Sequence, residues 1–409
     1  MAREKRKDKK GYLLRTGECQ RKDGRYSYSY TDRWKERHIV YANSLVELRE
    51  KEKQIRMDID SGLDPNAAKR LTVNDMFDRF ISRKYDIKPT TRAKYYFDYN
   101  HYVRDGFGKQ KIGDVHYSDV KKFYYELLEV RKIKPGTVDG VNTVLHQTFK
   151  VAVRDEVLRG NPTDGVMAEI KRSDLWEVPK RHALTLPEQR KFMAYISESH
   201  IFKGWVPLMT VLLGTGMRIG EALGLRWEDI DLEKRLITVD HNFVEYKDKE
   251  LDKVVYRIQS TKTRAGVRTI PMIDEVYEAF IMEYEFQQCT GFCEEEIDGY
   301  SGFIFATTEG KLMKRAAVNN AIHRIVEVHN EEEIKKAKAE KREPFLIPQF
   351  TAHQLRHTFC TRFCENESNL KVIQAIMGHA DITTTMDIYA EASPEKKQEI
   401  MTNLQGKIF

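Results

Sequence analysis

Cysteine is scarce in this sequence, and long apolar runs are missing from it. The 409 residues hold five cysteines, a small and odd number for a chain of this length. Such a count excludes a framework of disulfides and favours a reducing compartment. No run of about 18 apolar residues occurs, and no apolar segment follows the basic start MAREKRKDKK, so neither a membrane span nor a secretory signal is predicted. We therefore expect a cytoplasmic protein.

Patterns typical of metal and nucleotide sites are also weak or missing. Two cysteine pairs have the C-x3-C spacing, Cys289 with Cys293 and Cys360 with Cys364. The second pair shares an apolar helical face with Phe359, which favours small buried side chains over zinc ligands. The sequence lacks a glycine-rich phosphate loop and the paired carboxylates of two-metal enzymes. We expect no metal and no cofactor.

Basic residues are concentrated in the first two parts of the chain. Residues 1–41 hold 13 Lys and Arg against 6 Asp and Glu, and residues 66–172 hold 21 against 14. The chain as a whole carries a net charge of +6, so its remaining part is mildly acidic. Basic modules of this kind are typical of proteins that bind nucleic acid, although a solvated surface also tolerates such an excess. Charge alone favours nucleic acid as the partner.

The first 65 residues predict a small sheet followed by a charged linker helix. The sequence KDGR places an Asp-Gly turn between two strand-like runs, which is a hairpin signal. Tyr26, Tyr28 and Tyr30 alternate on one face of the second run, either as a small aromatic core or as part of a nucleic-acid surface. The candidate DNA contacts beside this hairpin are Arg21, Lys22 and Arg25.

Apolar residues recur at helical spacing within residues 70–165 and predict four helices. Thr72 is a candidate N-cap of the first helix, because its hydroxyl can accept a hydrogen bond from a free amide of the first turn. The second and fourth helices follow Pro89 and Pro135, and the third begins at Ser118. Basic side chains that avoid the apolar faces are candidate phosphate contacts: Arg92, Lys94, Lys121 and Lys122.

The third part, residues 179–409, is predicted to be mainly helical. Four short runs within residues 236–272 are typical of antiparallel strands joined by turns. The predicted fold class is therefore α+β and multidomain. It comprises a small N-terminal β-sheet domain, a four-helix domain and a mainly helical domain with a small antiparallel sheet.

Two segments of the third part carry basic groups next to turns. In GTGMRIGEALGLRW, Arg218 follows a glycine-bounded turn at the start of a helix, and Glu221 lies one turn further on. A surface ion pair is the simpler interpretation of these two residues. In STKTRAG, Lys262 lies in a predicted hairpin turn, where an exposed loop lysine is the simpler interpretation.

Two further segments carry histidines. In HQLRHTF, His353 and Arg356 share one helix face, and in MGHADITTTMDIY, Tyr389 follows His379 by ten residues. Two arginines can neutralise the oxygens of a phosphodiester transition state, and histidines can hold oxygens and move protons. A lysine can protonate the leaving oxygen, and a tyrosine can attack phosphorus. All four segments together favour phosphodiester transfer without a metal.

These motifs resemble those of the tyrosine recombinase, or phage-type integrase, family. TGMRIGEALGLRW is similar to the first arginine box of the family, HQLRHTF to the second, and MGHADITTTMDIY to its final segment. The resemblance extends over about residues 70–400. The basic, hairpin-rich N-terminus further resembles the arm-binding domain of integrases from Tn916-like conjugative transposons.

The resemblance implies a reaction and an assembly. Tyr389 would attack DNA to form a 3′-phosphotyrosine, and the released 5′-hydroxyl would attack the phosphotyrosine of a partner strand. Two such rounds pass through a Holliday junction, with four protomers on two DNA sites. The resemblance also implies roles for other residues: phosphate clamping by Arg218 and Arg356, support from His353 and His379, general acid catalysis by Lys262 or alternatively Arg264, and orientation of Arg218 by Glu221.

The resemblance also implies a division of labour along the chain. Residues 1–65 would bind arm-type DNA sites, residues 70–165 the core site, and residues 179–409 would hold the active site and a C-terminal tail. Expected partners are double-stranded DNA at element ends and targets, further copies of the chain, and an accessory DNA-bending or excisionase protein. The alternatives are a type IB topoisomerase-like enzyme that nicks and reseals, and a non-catalytic DNA-binding regulator.

Overall fold

The structure of the protein is a computed structural model. It describes residues 6–31, 37–60, 67–177, 183–248, 251–261, 264–367, 369–383, 386 and 402. The chain folds into two compact units, Met1–Pro179 and Lys180–Phe409. Within the described part of the chain, none of the helices combines the length and the apolar character that a membrane crossing requires.

The first unit begins with a three-stranded antiparallel sheet in the order β1-β2-β3, covered by one helix. Tyr26, Tyr28 and Tyr30 are buried and pack with Leu48 of that helix, so these tyrosines form the small core. The predicted hairpin is confirmed, with Gly24 at φ 87° in its turn. The elements are β1 (Glu18–Gln20), β2 (Tyr26–Thr31), β3 (Arg37–Ala42) and α1 (Leu45–Asp60).

The remainder of the first unit is helical and has its own apolar core. Thr72 caps the first long helix as predicted, because its hydroxyl accepts from the amide of Asp75 at 3.1 Å. Helices lie at the four predicted places, a π-helical turn at Glu126–Val130 continues the third of them, and a short helix lies at each end of residues 70–165. The helices are α2 (Ala67–Arg70), α3 (Val73–Ser82), α4 (Pro89–Tyr102), α5 (Tyr117–Tyr125), α6 (Pro135–Arg154) and α7 (Val166–Ile170).

The second unit is mainly helical, and its apolar core surrounds one nearly all-apolar helix, α9. Because its side chains are apolar all round, this helix is buried at the centre. The helices are α8 (Leu186–Glu198), α9 (Val206–Thr215), α10 (Ile219–Gly224), α11 (Asp274–Thr290), α12 (Arg315–Glu340), α13 (Ala352–Asn366) and α14 (Leu370–Met377).

The strands predicted within residues 236–272 are present, but they form parts of two sheets. One sheet is three-stranded in the order β4-β5-β8, and the other is the hairpin β6-β7. The hairpin β6-β7 is inserted in the chain between β5 and β8, and these two strands pair with each other. The strands are β4 (Ile230–Asp231), β5 (Leu236–Val239), β6 (His241–Asp248), β7 (Lys253–Ser260) and β8 (Arg268–Pro271).

Candidate active site

The turn between α9 and α10 brings Arg218 to the start of a helix. Gly216 ends α9 with φ 63°, in the left-handed region, and a Cβ at this position would collide with the Phe359 ring. Glycine is therefore required here by conformation and by space. The turn leaves Arg218 as the N-cap of α10, with Glu221 in the first turn of the helix.

Glu221 is a buried carboxylate shared between two arginines. Its Oε1 accepts from Arg218 Nη1 at 2.7 Å, and its Oε2 accepts from the Arg218 amide at 3.0 Å and from Arg268 Nη2 at 2.8 Å. Burial alone raises the pKa of Glu221, but the charges of Arg268 and Arg218 outweigh burial and lower it. Glu221 is therefore ionised at neutral pH, and the pair is not a simple surface ion pair.

Arg356 of α13 is 4% exposed and connects distant parts of the chain. Its Nη1 donates to the Gly216 carbonyl at 2.6 Å and its Nη2 to the Met377 carbonyl at 2.7 Å. Burial, and then the charge of Arg218, lower the pKa of Arg356 to about 9, which leaves the guanidinium charged at pH 7. His353 lies one turn earlier on α13 and is exposed.

His379 is buried directly after α14. Gly378 ends this helix with φ 64°, and the amide of His379 donates to the carbonyl of Gln374 at 3.2 Å. Burial, followed by the charges of Arg356 and other nearby arginines, lowers the pKa of His379 to about 4. The imidazole is therefore neutral at pH 7. In this form one ring nitrogen donates a hydrogen bond and the other accepts one.

Three arginines from separate segments hold the C-terminal end of α14. The last carbonyls of a helix have no partner within it, and the helix dipole favours positive charge beside them. Here three consecutive carbonyls each accept from a different guanidinium. The bonds run from Arg268 Nε to Ile376 O at 2.7 Å, from Arg356 Nη2 to Met377 O at 2.7 Å, and from Arg218 Nη2 to Gly378 O at 3.3 Å.

The structure thus brings Arg218 and Glu221 together with Arg356 and His379, although the two pairs lie far apart in the sequence. Lys262 and Tyr389 lie outside the described residues. Sequence reasoning missed one member of the cluster, Arg268. The alternating pattern of strand β8 places Arg268 on the same buried face as Ile270. A charged side chain at a position that the alternation assigns to the core was the available signal.

The candidate DNA contacts near the first hairpin lie at the surface. Arg21 lies over the ring of Tyr41, 5.1 Å from its centroid, and Arg25 pairs with Asp23 at 2.9 Å. Lys22 is exposed. Exposed ion pairs of this kind are weak, so these cations remain accessible to phosphates.

The candidates in the helical part differ in how they are engaged. Arg92 donates to the carbonyls of Ile81 and Lys84, so it joins the start of α4 to the last turn of α3 and to the segment that follows it. Of the three lysines, two form ion pairs and one is exposed to solvent. Lys94 pairs with Asp98 at 2.7 Å, Lys121 pairs with Glu169 at 2.5 Å, and Lys122 is exposed.

Comparison with known sequences identifies two family regions. Residues 184–396 match the phage integrase family, and residues 2–59 match the DNA binding domain of tn916 integrase. The transposase from transposon Tn1545 of Streptococcus agalactiae serotype V is 32% identical, with 98% of this chain and 97% of that protein covered. The transposase from transposon Tn916 of Enterococcus faecalis is 31% identical with the same coverage.

Solved structures give the same relationship. The Tn1549 transposon integrase in complex with transposon right end DNA is 29% identical with a TM-score of 0.69, covering 82% of this chain and all of that one. A lambda integrase tetramer bound to a Holliday junction shares the fold, with 16% identity, a TM-score of 0.50 and coverage of 91% of this chain and 94% of that one. The chain therefore belongs to the phage integrase family, as a site-specific tyrosine recombinase of the Tn916 type.

Proposed function

We propose that the chain cuts and rejoins the ends of a mobile element through a covalent 3′-phosphotyrosine at Tyr389, with Arg218 and Arg356 as the phosphate clamp. The observation that carries the proposal is the charge of the site. Three guanidiniums, from Arg218, Arg268 and Arg356, surround the shared carboxylate of Glu221. Buried charges are normally paired, so this excess of positive charge suits a further anion, the scissile phosphate.

The arginines would act on the transition state. When an oxygen attacks phosphorus, negative charge accumulates on the non-bridging oxygens, and donors that are already fixed in place stabilise it without reorganisation. Arg356 is fixed by two carbonyls and Arg218 by Glu221. His379, neutral at pH 7, would donate a hydrogen bond to an oxygen, and His353 would support the phosphate from α13.

The chemical step exchanges one ester for another. The Tyr389 oxygen forms a bond to phosphorus, the bond from phosphorus to the 5′ oxygen breaks, and the phenolic proton leaves the tyrosine. Lys262 gives a proton to the departing 5′ oxygen, with Arg264 as the alternative acid. A 5′-hydroxyl of a partner strand then reverses the step on that phosphotyrosine. No energy-rich nucleotide is required, because each phosphate ester bond that breaks is replaced by another phosphate ester bond.

The N-terminal sheet is proposed as the arm-site reader. Its tyrosine face is covered by α1, so the opposite face is free to meet DNA. Side chains of that face alternate with the buried ones along the strands and include Arg37, Ile39 and Tyr41, all exposed. Arg21 lies over Tyr41. A sheet face of this kind can lie in a groove while neighbouring cations fix its register on the phosphates. Residues 1–65 would form this module.

Residues 70–165 are proposed to bind the core site, and residues 179–409 to cut it. Exchange between two duplexes cuts four strands, and each protomer provides one Tyr389, so four protomers are expected on two sites. The tail beyond Ser393 would dock on a neighbouring protomer. An accessory DNA-bending or excisionase protein would set the direction of the reaction.

The test is covalent trapping followed by strand exchange. A nicked suicide duplex carrying the end of the mobile element, labelled on either side of the cut, should yield a protein adduct on the 3′-phosphate side. A second duplex with a free 5′-hydroxyl should then accept the labelled strand. A regulator would give no adduct, and a nick-and-reseal enzyme would give an adduct but no junction between two full sites.

A further inference from the structure

All three guanidinium nitrogens of Arg268 donate to partners inside the protein. The residue is 8% exposed, on strand β8. Nε donates to the Ile376 carbonyl at 2.7 Å, Nη1 to the Gly266 carbonyl at 3.0 Å, and Nη2 to Glu221 at 2.8 Å. A planar fork with donors on three nitrogens in fixed directions can reach three partners that lie on different sides of it, whereas the three donors of a lysine lie on a single nitrogen.

Two partners of Arg268 lie in different segments of the proposed phosphate site: Glu221 is next to Arg218, and Ile376 is just before His379. Glu221 also holds Arg218, so each arginine takes part of one negative charge. Arg218 consequently keeps part of its positive charge for an external anion. Ile376 lies three residues before His379, at the end of α14. Arg268 therefore connects the segment that orients one functional arginine to the segment that carries a functional histidine.

Close packing restricts how these parts can move. A Cβ added at Gly378 would lie 3.0 Å from Arg268 Nη1 and 3.0 Å from the carbonyl oxygen of Ala265. The helix end thus lies directly against the guanidinium and the chain just before β8. A residue in this position fixes the distance between the two sides of the site.

We propose that Arg268 is a positioning residue for strand cleavage, which holds Glu221 and the end of α14 at once and so sets Arg218 and His379 for the DNA phosphate. The inference rests on the proposed function, since it takes Arg218 and His379 to face that phosphate. The proposed role is indirect, since each of the three guanidinium nitrogens of Arg268 donates to a partner within the protein. Arg268 acts through Glu221 and through the backbone before His379.

A role restricted to stability is the competing explanation, and a matched control separates the two. Arg226 is 15% exposed in its side chain and pairs at 3.1 Å with the buried carboxylate of Asp229, whereas Arg268 pairs with Glu221. Arg226→Gln therefore removes a comparable buried ion pair from the same unit. Its melting temperature should fall as in Arg268→Gln, while its cleavage rate should stay close to that of the wild type.

The first measurement is single-turnover cleavage of the suicide duplex at saturating DNA, with full-length protein. Arg268→Gln should lower the rate by about 10- to 100-fold, the range known for residues that orient the ligands of metal sites. Arg268→Lys should also be slow, because the donors of an ammonium lie on one nitrogen and cannot reach acceptors that are bonded by three different nitrogens of the guanidinium. Duplex binding should be unchanged in both variants.

A double-mutant cycle tests whether Arg268 acts through Glu221. Residues in one network give non-additive effects, whereas independent residues give additive ones. Glu221→Gln should slow cleavage by itself, and adding Arg268→Gln should slow it little further. Full additivity would contradict the proposed route.

The imidazole of His379 gives a measurement that does not depend on activity. The charged groups that act on it are Arg356, Arg218, Arg268 and Glu221. Losing the positive charge of Arg268 should raise the pKa of His379 measured by NMR, with His379→Gln for assignment. Arg268→Lys should leave that pKa near the wild-type value, and Arg226→Gln should not change it.

The outcomes test the positioning role of Arg268 separately from the proposed function. A wild-type rate in folded Arg268→Gln, or a rate loss equal to that of Arg226→Gln, would overturn the positioning role. Where Arg268→Gln does not fold, Arg268→Lys carries the comparison, and loss of folded protein in both assigns Arg268 to the fold alone. If the wild type forms no adduct, the proposed function fails, and the His379 pKa still decides whether Arg268 acts on the site.

Discussion

The basic residues of the two compact units occupy different environments. In the first unit, Lys22 and Lys122 are exposed, Arg25 forms an ion pair at the surface, and the exposed Lys94 pairs with the buried carboxylate of Asp98. In the second unit, Arg356 is 4% exposed and bonded to two carbonyls. Exposed charges attract a polyanion over a distance and are screened by salt, whereas buried charges are fixed in direction and little screened. Under the proposed function, the first unit therefore supplies affinity for DNA and the second supplies the chemistry.

The largest effect that this comparison predicts comes from a substitution that keeps charge. Arg356→Lys retains a cation but loses the fork that spans Gly216 and Met377, so cleavage should fall by about 10²–10³, the order observed when one transition-state donor is lost. Single-turnover adduct formation measures the rate, and filter binding measures affinity, which should change little. Equal losses in cleavage rate and in DNA affinity would show that the buried arginine contributes to DNA binding as well.

A second prediction concerns pH and the stability of the second unit. The pKa of His379 is lowered to about 4 in the folded protein, against about 6.5 in the unfolded chain. The unfolded state therefore takes up a proton first, and the contribution of His379 to stability is present above pH 6.5 and is lost as the pH falls towards 4. Between pH 7 and 5 the free energy of unfolding should fall by about 2 kcal/mol from this group.

Urea denaturation of the wild type and of His379→Gln at the two pH values tests this. The wild type should lose more stability than the variant over this range. The same loss in both proteins would mean that the histidine titrates normally and that the arginines around it exert no such field.

The smallest effect is expected for single exposed cations of the first unit. Lys22→Ala and Lys122→Ala each remove at most one phosphate contact, which reduces the magnitude of the logarithmic salt slope of DNA binding by about 0.9. Cleavage at saturating DNA should be unchanged. Slower cleavage at saturating DNA would contradict the division of affinity and chemistry between the two units. An unaltered salt slope would show that the substituted lysine does not contact DNA.

Local features of this fold were readable from the sequence, because they depend on neighbouring residues. Thr72 caps a helix, the KDGR turn forms a hairpin, and strands occur within residues 236–272. Burial of the tyrosine face of β2 could not be decided from alternation alone, because a period of two gives a face but not its surroundings.

The candidate site was less readable, for a physical reason. Contact between Arg218 and Glu221 follows from helical spacing, but Arg218 and Arg268 reach the end of α14 from more than a hundred residues away in the chain. Periodicity carries no information about such contacts. Arg268 was missed although the alternation of its strand assigns it to the core, because alternation does not identify its partners.

The most direct test of the account is the covalent adduct itself. Tyr389→Phe removes one oxygen, and Tyr284→Phe, an exposed tyrosine of the same unit, is the matched control. The account predicts that Tyr389→Phe binds the suicide duplex as tightly as the wild type but forms no adduct, while Tyr284→Phe forms it normally. A phosphotyrosyl adduct that persists in Tyr389→Phe would contradict the assignment of the nucleophile and of the site built around it.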